Sequence, residues 1–404
     1  MADRRGQQQR HMIARNNSSS SYSSFKSHKP SNRNTNAKNT HTNKFATVNP
    51  DNNDNIDDHQ DIPNLVGTCP FMCPVEERAR RERLRDLAVF ERLHGNPAKT
   101  SSTLAVKKFC RTISTNNVQA SDVRPVSVLE DTLNYLLNLL KSDCHFEVVH
   151  DFIFDRTRSI RQDLTMQNVT SDQAIHMYER MVKFHIISHH RLPKCGSPNI
   201  ASICHLNMEQ LTKALTSLFN LYEANRAPHS IYKDEAEFHS YYVLLHLCSD
   251  NQGESLSLWF RRVPFVIMKS KEMCFARRIL RYFRLGNYKQ FIYTTEAEAS
   301  YLQYCIIEPY ISEVRALALS CVNYGGYKLQ PYPLTHLSNL LMMQESDLES
   351  LCVDCGLQTS TDGIGKALLS TKLTNTCNPK RGYHKYYELV SERLERLSAE
   401  LSEL

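Results

Sequence analysis

The sequence predicts an all-α fold, an irregular array of helical repeats closed by a winged helix. Two observations carry this. Between residues 127 and 322, apolar residues recur at helical spacing with polar residues between them, the pattern of helices that each bury one stripe. After Gly325-Gly326 the texture changes to two short helices and a Thr- and Gly-rich segment that fits two strands around a turn.

Taken in order, residues 1–62 are rich in Ser, Asn, Gln and His and poor in large apolar residues, so a disordered tail is expected. Residues 1–50 hold nine Lys or Arg and one Asp, a net of +8, whereas residues 51–404 hold 40 basic and 42 acidic residues. The overall charge of +6 therefore describes the tail, which could meet nucleic acid or an import receptor. Residues 63–126 read as an extended lead-in segment followed by one charged helix over 74–93, with Pro74 at its first position and Glu76 and Glu77 at the positive end of its dipole.

Residues 127–323 form the predicted helical-repeat domain. The spacing gives helices over 127–141, 172–191, 204–225 and 235–249, then over about 254–268, 272–285, 297–307 and 310–322. Stacked helix pairs bury such one-sided stripes most simply, and no fixed-period repeat is present. Residues 324–375 are assigned to the winged helix: a helix over 333–343, a second from an N-cap at Ser346 to Cys355, left-handed Gly356, and a hairpin within 357–373. A charged helix over about 383–402 completes residues 376–404.

The thirteen cysteines are scattered and mostly lie in apolar patterns, the usage of a reducing compartment. No run of about 18 apolar residues occurs, so no membrane span is expected. There is no Gly-rich phosphate loop, G-x-S-x-G or H-E-x-x-H, and neither a cofactor nor catalysis is expected.

Residues 152–165 are the densest in charge within the folded body. A nuclease reading pairs Asp155 with Asp163 around a metal, but eight residues along a helix separate them by about 12 Å. The mixed charges of Asp155, Arg156, Arg158, Arg161, Gln162 and Asp163 fit an ion-pair network that fixes helix packing, with partner or RNA phosphate contact as the alternative. Cys69 and Cys73 lack two further zinc ligands at finger spacing, His59 and His94 being nearest; the segment reads as docking Phe71, Met72 and Cys73 ahead of Pro74. Cys352 and Cys355 lack a second pair, and His185, His189 and His190 read as packing and dipole compensation.

Arg277, Arg278, Arg281, Arg284 and Lys289 beside Tyr282, Phe283 and Tyr288 are the best nucleic-acid candidate, since cations meet phosphates and rings stack on bases. The second winged-helix helix carries Asp347, Glu349 and Asp354 and no cation, so it is not expected to read DNA. Contact would fall to the stripe, to the tail, or to Lys366 and Lys372 in the wing.

These segments resemble the suppressor-of-actin/GANP family. The matching stretches are Gly67 to Pro74, Val123-Arg124-Pro125, Phe154 to Gln167, Glu179 to Ile186, Phe238 to Leu247 and Phe275 to Tyr288, in family order, and they are most similar to its short plant form. The resemblance covers roughly 65–375. It implies a PCI-like architecture, helical repeats capped by a winged helix, and a nuclear scaffold subunit of a transcription and mRNA-export complex. It implies a second PCI-like subunit, a small acidic protein and nuclear-pore components as partners. The sequence has neither the phenylalanine-glycine repeats nor the long C-terminal helix of the long members, so export-receptor and centrin contacts are not expected. A centrosome or spindle-associated binding protein is the second reading, and a metal-dependent nuclease the third.

Overall fold

The computed structural model describes residues 65–112, 118–226, 231–248, 256–325, 330–362, 365–370 and 389–400. The expectation for residues 1–62 and the position of Lys372 lie outside them.

The described residues are overwhelmingly helical. A short α1 (Val75–Leu84) leads, through turns and extended chain, to α2 (Val126–Asn138), α3 (Phe146–Met166), α4 (Asp172–Arg191), α5 (Ile200–Ala224) and α6 (Glu235–Leu245). Then come α7 (Leu256–Arg262), α8 (Phe265–Met268), α9 (Lys271–Arg284), α10 (Tyr288–Glu298) and α11 (Tyr301–Gly325). After β1 (Tyr332–Pro333) follow α12 (Leu334–Leu341), α13 (Glu345–Asp354), β2 (Thr359–Asp362), β3 (Gly365–Leu368) and α14 (Glu392–Glu400).

α4 is the central element and packs on α2, α3, α5 and α11. It buries thirteen of its residues, the polar Glu179, His185, Ser188, His189 and His190 among them, because neighbours pack on several of its sides rather than on one stripe. α6 packs on α9 and α11, and α9 and α10 form an adjacent pair. No helix among the described residues is long and apolar enough to cross a membrane.

Several predicted boundaries shift for local reasons. The helix placed over 74–93 has Pro74 as its cap and stops at Leu84, where Arg85 turns left-handed (φ 55°). The chain must turn there, because Glu91 returns to meet Arg81 in the interior. The helix placed over 254–268 breaks at Pro264 into α7 and α8. α10 was not anticipated; Asn287 caps it by accepting from the Gln290 backbone N–H at 3.2 Å.

The pair expected over 297–307 and 310–322 is one helix, α11, running through Pro309. Its start is set by a reciprocal Ser300–Gln303 capping box, with Ser300 N donating to Gln303 Oε1 at 3.0 Å. Burial of Ile306, Ile307, Ile311 and Val314 on both sides of the proline outweighs the lost backbone bond.

Beyond α11, two helices and a hairpin occur in the predicted order, with α13 capped by Gln344 rather than Ser346. The unanticipated β1 makes the sheet three-stranded and antiparallel in the order β1-β3-β2, with Tyr332 opposite Leu368 and Thr359 opposite the same residue on the other side. This unit is fixed to the helical body by Arg315 of α11. Its buried guanidinium donates to the carbonyls of Leu341 (3.0 Å) and Met342 (2.6 Å), where α12 ends. Burial pushes the Arg315 guanidinium down to about 10. Of the charged helix expected over about 383–402, only residues 389–400 are described; there α14 begins at Glu392, and Arg393 donates to the carbonyls of Glu296 and Ala299 at the end of α10.

Candidate functional site

The lead-in chain threads between α1 and α3 as irregular backbone, and irregular backbone inside a protein needs partners for its polar groups. Those partners are the charged side chains of 77–91 and 152–167. Val106 N donates to Glu91 Oε1 (3.0 Å), and Arg81 Nη1 donates to the Val106 carbonyl (3.0 Å). Ser159 Oγ donates to the Lys107 carbonyl (2.7 Å), and Phe109 N donates to Asp155 Oδ2 (3.2 Å). Ala105 and Val106 are fully buried, which fixes the chain in depth.

Two buried carboxylates organise the seam. Glu91 pairs with both Arg81 and Arg156 (Nη2 to Oε2 3.0 Å), and Arg156 pairs in turn with Asp155. Burial alone would raise the Glu91 carboxyl, but Arg156 and Arg81 outweigh it and hold it below its ordinary value. Asp163 accepts from Lys107 Nζ at 2.6 Å and Arg124 Nε at 2.7 Å; it and Arg124 are fully buried and Lys107 nearly so. Arg124 continues to Ser159 Oγ (3.0 Å) and the Met72 carbonyl (3.3 Å). Apart from Arg156–Asp155, the ion pairs of this motif run across to Glu91, Lys107 and Arg124 rather than along α3.

The remaining residues of that motif also face inward. Arg158 lies 3.8 Å over the Phe109 ring and Arg161 reaches Gln210 at 2.6 Å. Gln162 donates to the Cys110 carbonyl (2.9 Å), and Gln167 links Gly67 N (2.8 Å) to the Arg124 carbonyl (2.9 Å). Asp163 thus has each oxygen on a cation while Asp155 serves Arg156 and a backbone N–H. The two carboxylates do not converge on one point as a metal-dependent nuclease needs.

Cys69 and Cys73 are buried, Met72 half-buried and Phe71 38% exposed, with Pro74 opening α1. Burial pushes the Cys73 thiol up to about 12, so it packs as a neutral group. His94 is exposed and turns with the left-handed backbone at φ 51°. Gly67 lies hard against Val123: an added Cβ would stand 2.5 Å from the Val123 carbonyl oxygen. Gly67→Ala is expected to destabilise the protein by about 1–3 kcal/mol, read as a lower urea midpoint; an unchanged midpoint would show that the seam has slack.

Residues 72–361 match the SAC3/GANP family. The chain belongs to that family. It is 36% identical over 296 residues to SAC3 family protein B of Arabidopsis thaliana, covering 71% of this chain and 17% of that protein. It is 32% identical over 285 residues to SAC3 family protein 1 of Schizosaccharomyces pombe, covering 64% of this chain and 26% of that protein. Protein xmas of Drosophila melanogaster is 27% identical over 341 residues, covering 80% and 16%. The chain thus spans between a sixth and about a quarter of the length of these SAC3/GANP relatives.

Within this SAC3/GANP chain the predicted nucleic-acid stripe is divided. Arg277, Arg281 and Arg284 are exposed on α9 and Lys289 is exposed on α10, whereas Arg278 turns to pair with Glu298. Lys366 of β3 lies 2.5 Å from Glu349 of α13, so this cation already faces the acidic helix. His190, read as dipole compensation, instead pairs with Glu308 of α11 at 2.5 Å, with Lys194 also on that carboxylate at 3.4 Å. Glu91, Arg81 and Lys107 were not singled out from sequence. The available signal was the Lys107-Lys108 pair closing the apolar run Leu104-Ala105-Val106.

Proposed function

We propose that this chain is a non-enzymatic scaffold subunit of a nuclear transcription and mRNA-export complex that docks mRNA particles at nuclear pores. Membership of the SAC3/GANP family supports the scaffold role. The observation that carries the reading is the destination of the motif charges. Asp155, Arg156, Arg158, Asp163 and their partners are engaged inside the seam, where they hold a shape rather than meet a substrate.

The terminal unit supports a winged helix. The end of α11, β1, α12, α13, β2 and β3 follow in winged-helix order, and β3 lies between β1 and β2. On this reading the helical body with its terminal unit is PCI-like, and its partners are a second PCI-like subunit and a small acidic protein. The acidic α13 suits a protein neighbour better than a phosphate backbone.

The test is co-purification of the tagged full chain from nuclear extract in mild salt, with identification of stoichiometric partners. A PCI-like protein and a small acidic protein are expected in equal amounts; recovery of neither rejects the scaffold reading.

A further inference from the structure

The geometry points to a binding site for single-stranded RNA on the outer face of α8 and α9, apart from the winged-helix unit. Residues 256–289 contain nine Lys or Arg and one Glu, while the remainder of 51–404 contains 31 basic and 41 acidic residues. One short stretch of an otherwise acidic body is therefore strongly cationic.

The structure turns these cations outward. Arg277, Arg281 and Arg284 stand at i, i+4 and i+7 on α9, all exposed, and none makes an ion pair with a described residue. Their axial steps are about 6 Å and about 4.5 Å. The result is a ladder of planar, fork-shaped donors suited to successive phosphates.

Aromatic rings accompany the ladder. Phe265 of α8 is 71% exposed, with Lys269 Nζ 4.3 Å from its ring centroid, and Arg277 lies 6.0 Å over Phe260. α8 is held against α9, where Cys274 Sγ reaches the Lys269 carbonyl at 3.7 Å. An acidic peptide would be satisfied by the cations alone. An exposed ring on the helix packed against a ladder of phosphate-spaced guanidinia fits unpaired bases, which stack as the backbone is neutralised. The choice of RNA over DNA rests on the mRNA-export reading above.

The test is fluorescence anisotropy of a labelled 20-mer oligouridine with the full chain between 50 and 200 mM salt. The variant R277E/R281E/R284E is expected to bind at least about tenfold more weakly and to lower the log–log salt slope by about 2. F265A is expected to lose about fivefold or more with the slope unchanged. Binding within twofold of wild type by the triple variant, with its helical content and melting temperature unaltered, overturns the site. Equally tight, equally ladder-dependent binding of a 20-mer oligoglutamate, or tighter binding of duplex RNA, overturns it as well. Loss of this RNA contact in a chain that still co-purifies its partners leaves the scaffold reading standing. Ladder-dependent RNA binding without partners does the reverse.

Discussion

Asp163→Asn is expected to cost about 3–5 kcal/mol of stability, enough to unfold much of the chain population at physiological temperature. Asp163 is the single carboxylate between Lys107 and Arg124, all three out of reach of water. The amide keeps the shape and removes the charge, so two cations remain buried without a counter-charge. Urea denaturation reads the loss directly. Limited proteolysis separates its parts, because cleavage within 65–125 should accelerate before cleavage elsewhere if the seam opens first. Asp155→Asn is the contrast. Its carboxylate is partly exposed, and about 1 kcal/mol is expected. Equal effects at both positions would contradict the seam as described.

Acid should unfold the protein well above the range in which carboxylates titrate. Burial lowers His150 to about 4, His185 to about 3, and His189 and His239 to about 4. His150 and His185 share the Asn207 side chain, whose Oδ1 is 2.8 Å from His185 Nδ1, and His239 Nδ1 donates to the Glu235 carbonyl at 2.8 Å. In the unfolded chain these imidazoles take up protons near pH 6.5. Stability is therefore full above that pH and falls as the unfolded state gains protons that the folded state refuses, until the folded values near 4 are reached. Four such groups give a slope of about 5 kcal/mol per pH unit between roughly pH 6 and 4.5. Urea midpoints at successive pH values measure it. A slope corresponding to one proton or fewer would show that the four rings are hydrated.

How far the sequence reached depended on how local the signal was. α4 and α9 were legible to within a residue or so, because their apolar positions repeat at turn spacing. α10 was missed because Thr294, Thr295, Glu296 and Glu298 make it look polar; its burial comes from α9 beside it. Pro309 suggested a break that tertiary packing overrides. The charged motif of α3 was visible as a cluster, yet its direction was not. Lys107 and Asp163 are 56 positions apart, and no periodicity links a carboxylate to a cation at that separation. The outward ladder on α9 was readable because it lies within one helix.

The seam also dictates an order of events during synthesis. Gly67 is held by Gln167, a residue 100 positions later, and the partners of Lys107 include Ser159 and Asp163 of α3. At ordinary elongation rates the ribosome needs roughly 5–20 s to make that length of chain. Throughout that interval the stretch bearing Gly67, Cys69 and Cys73 precedes the α3 groups that anchor it. It is a natural client for a holding chaperone until α3 emerges and closes over it.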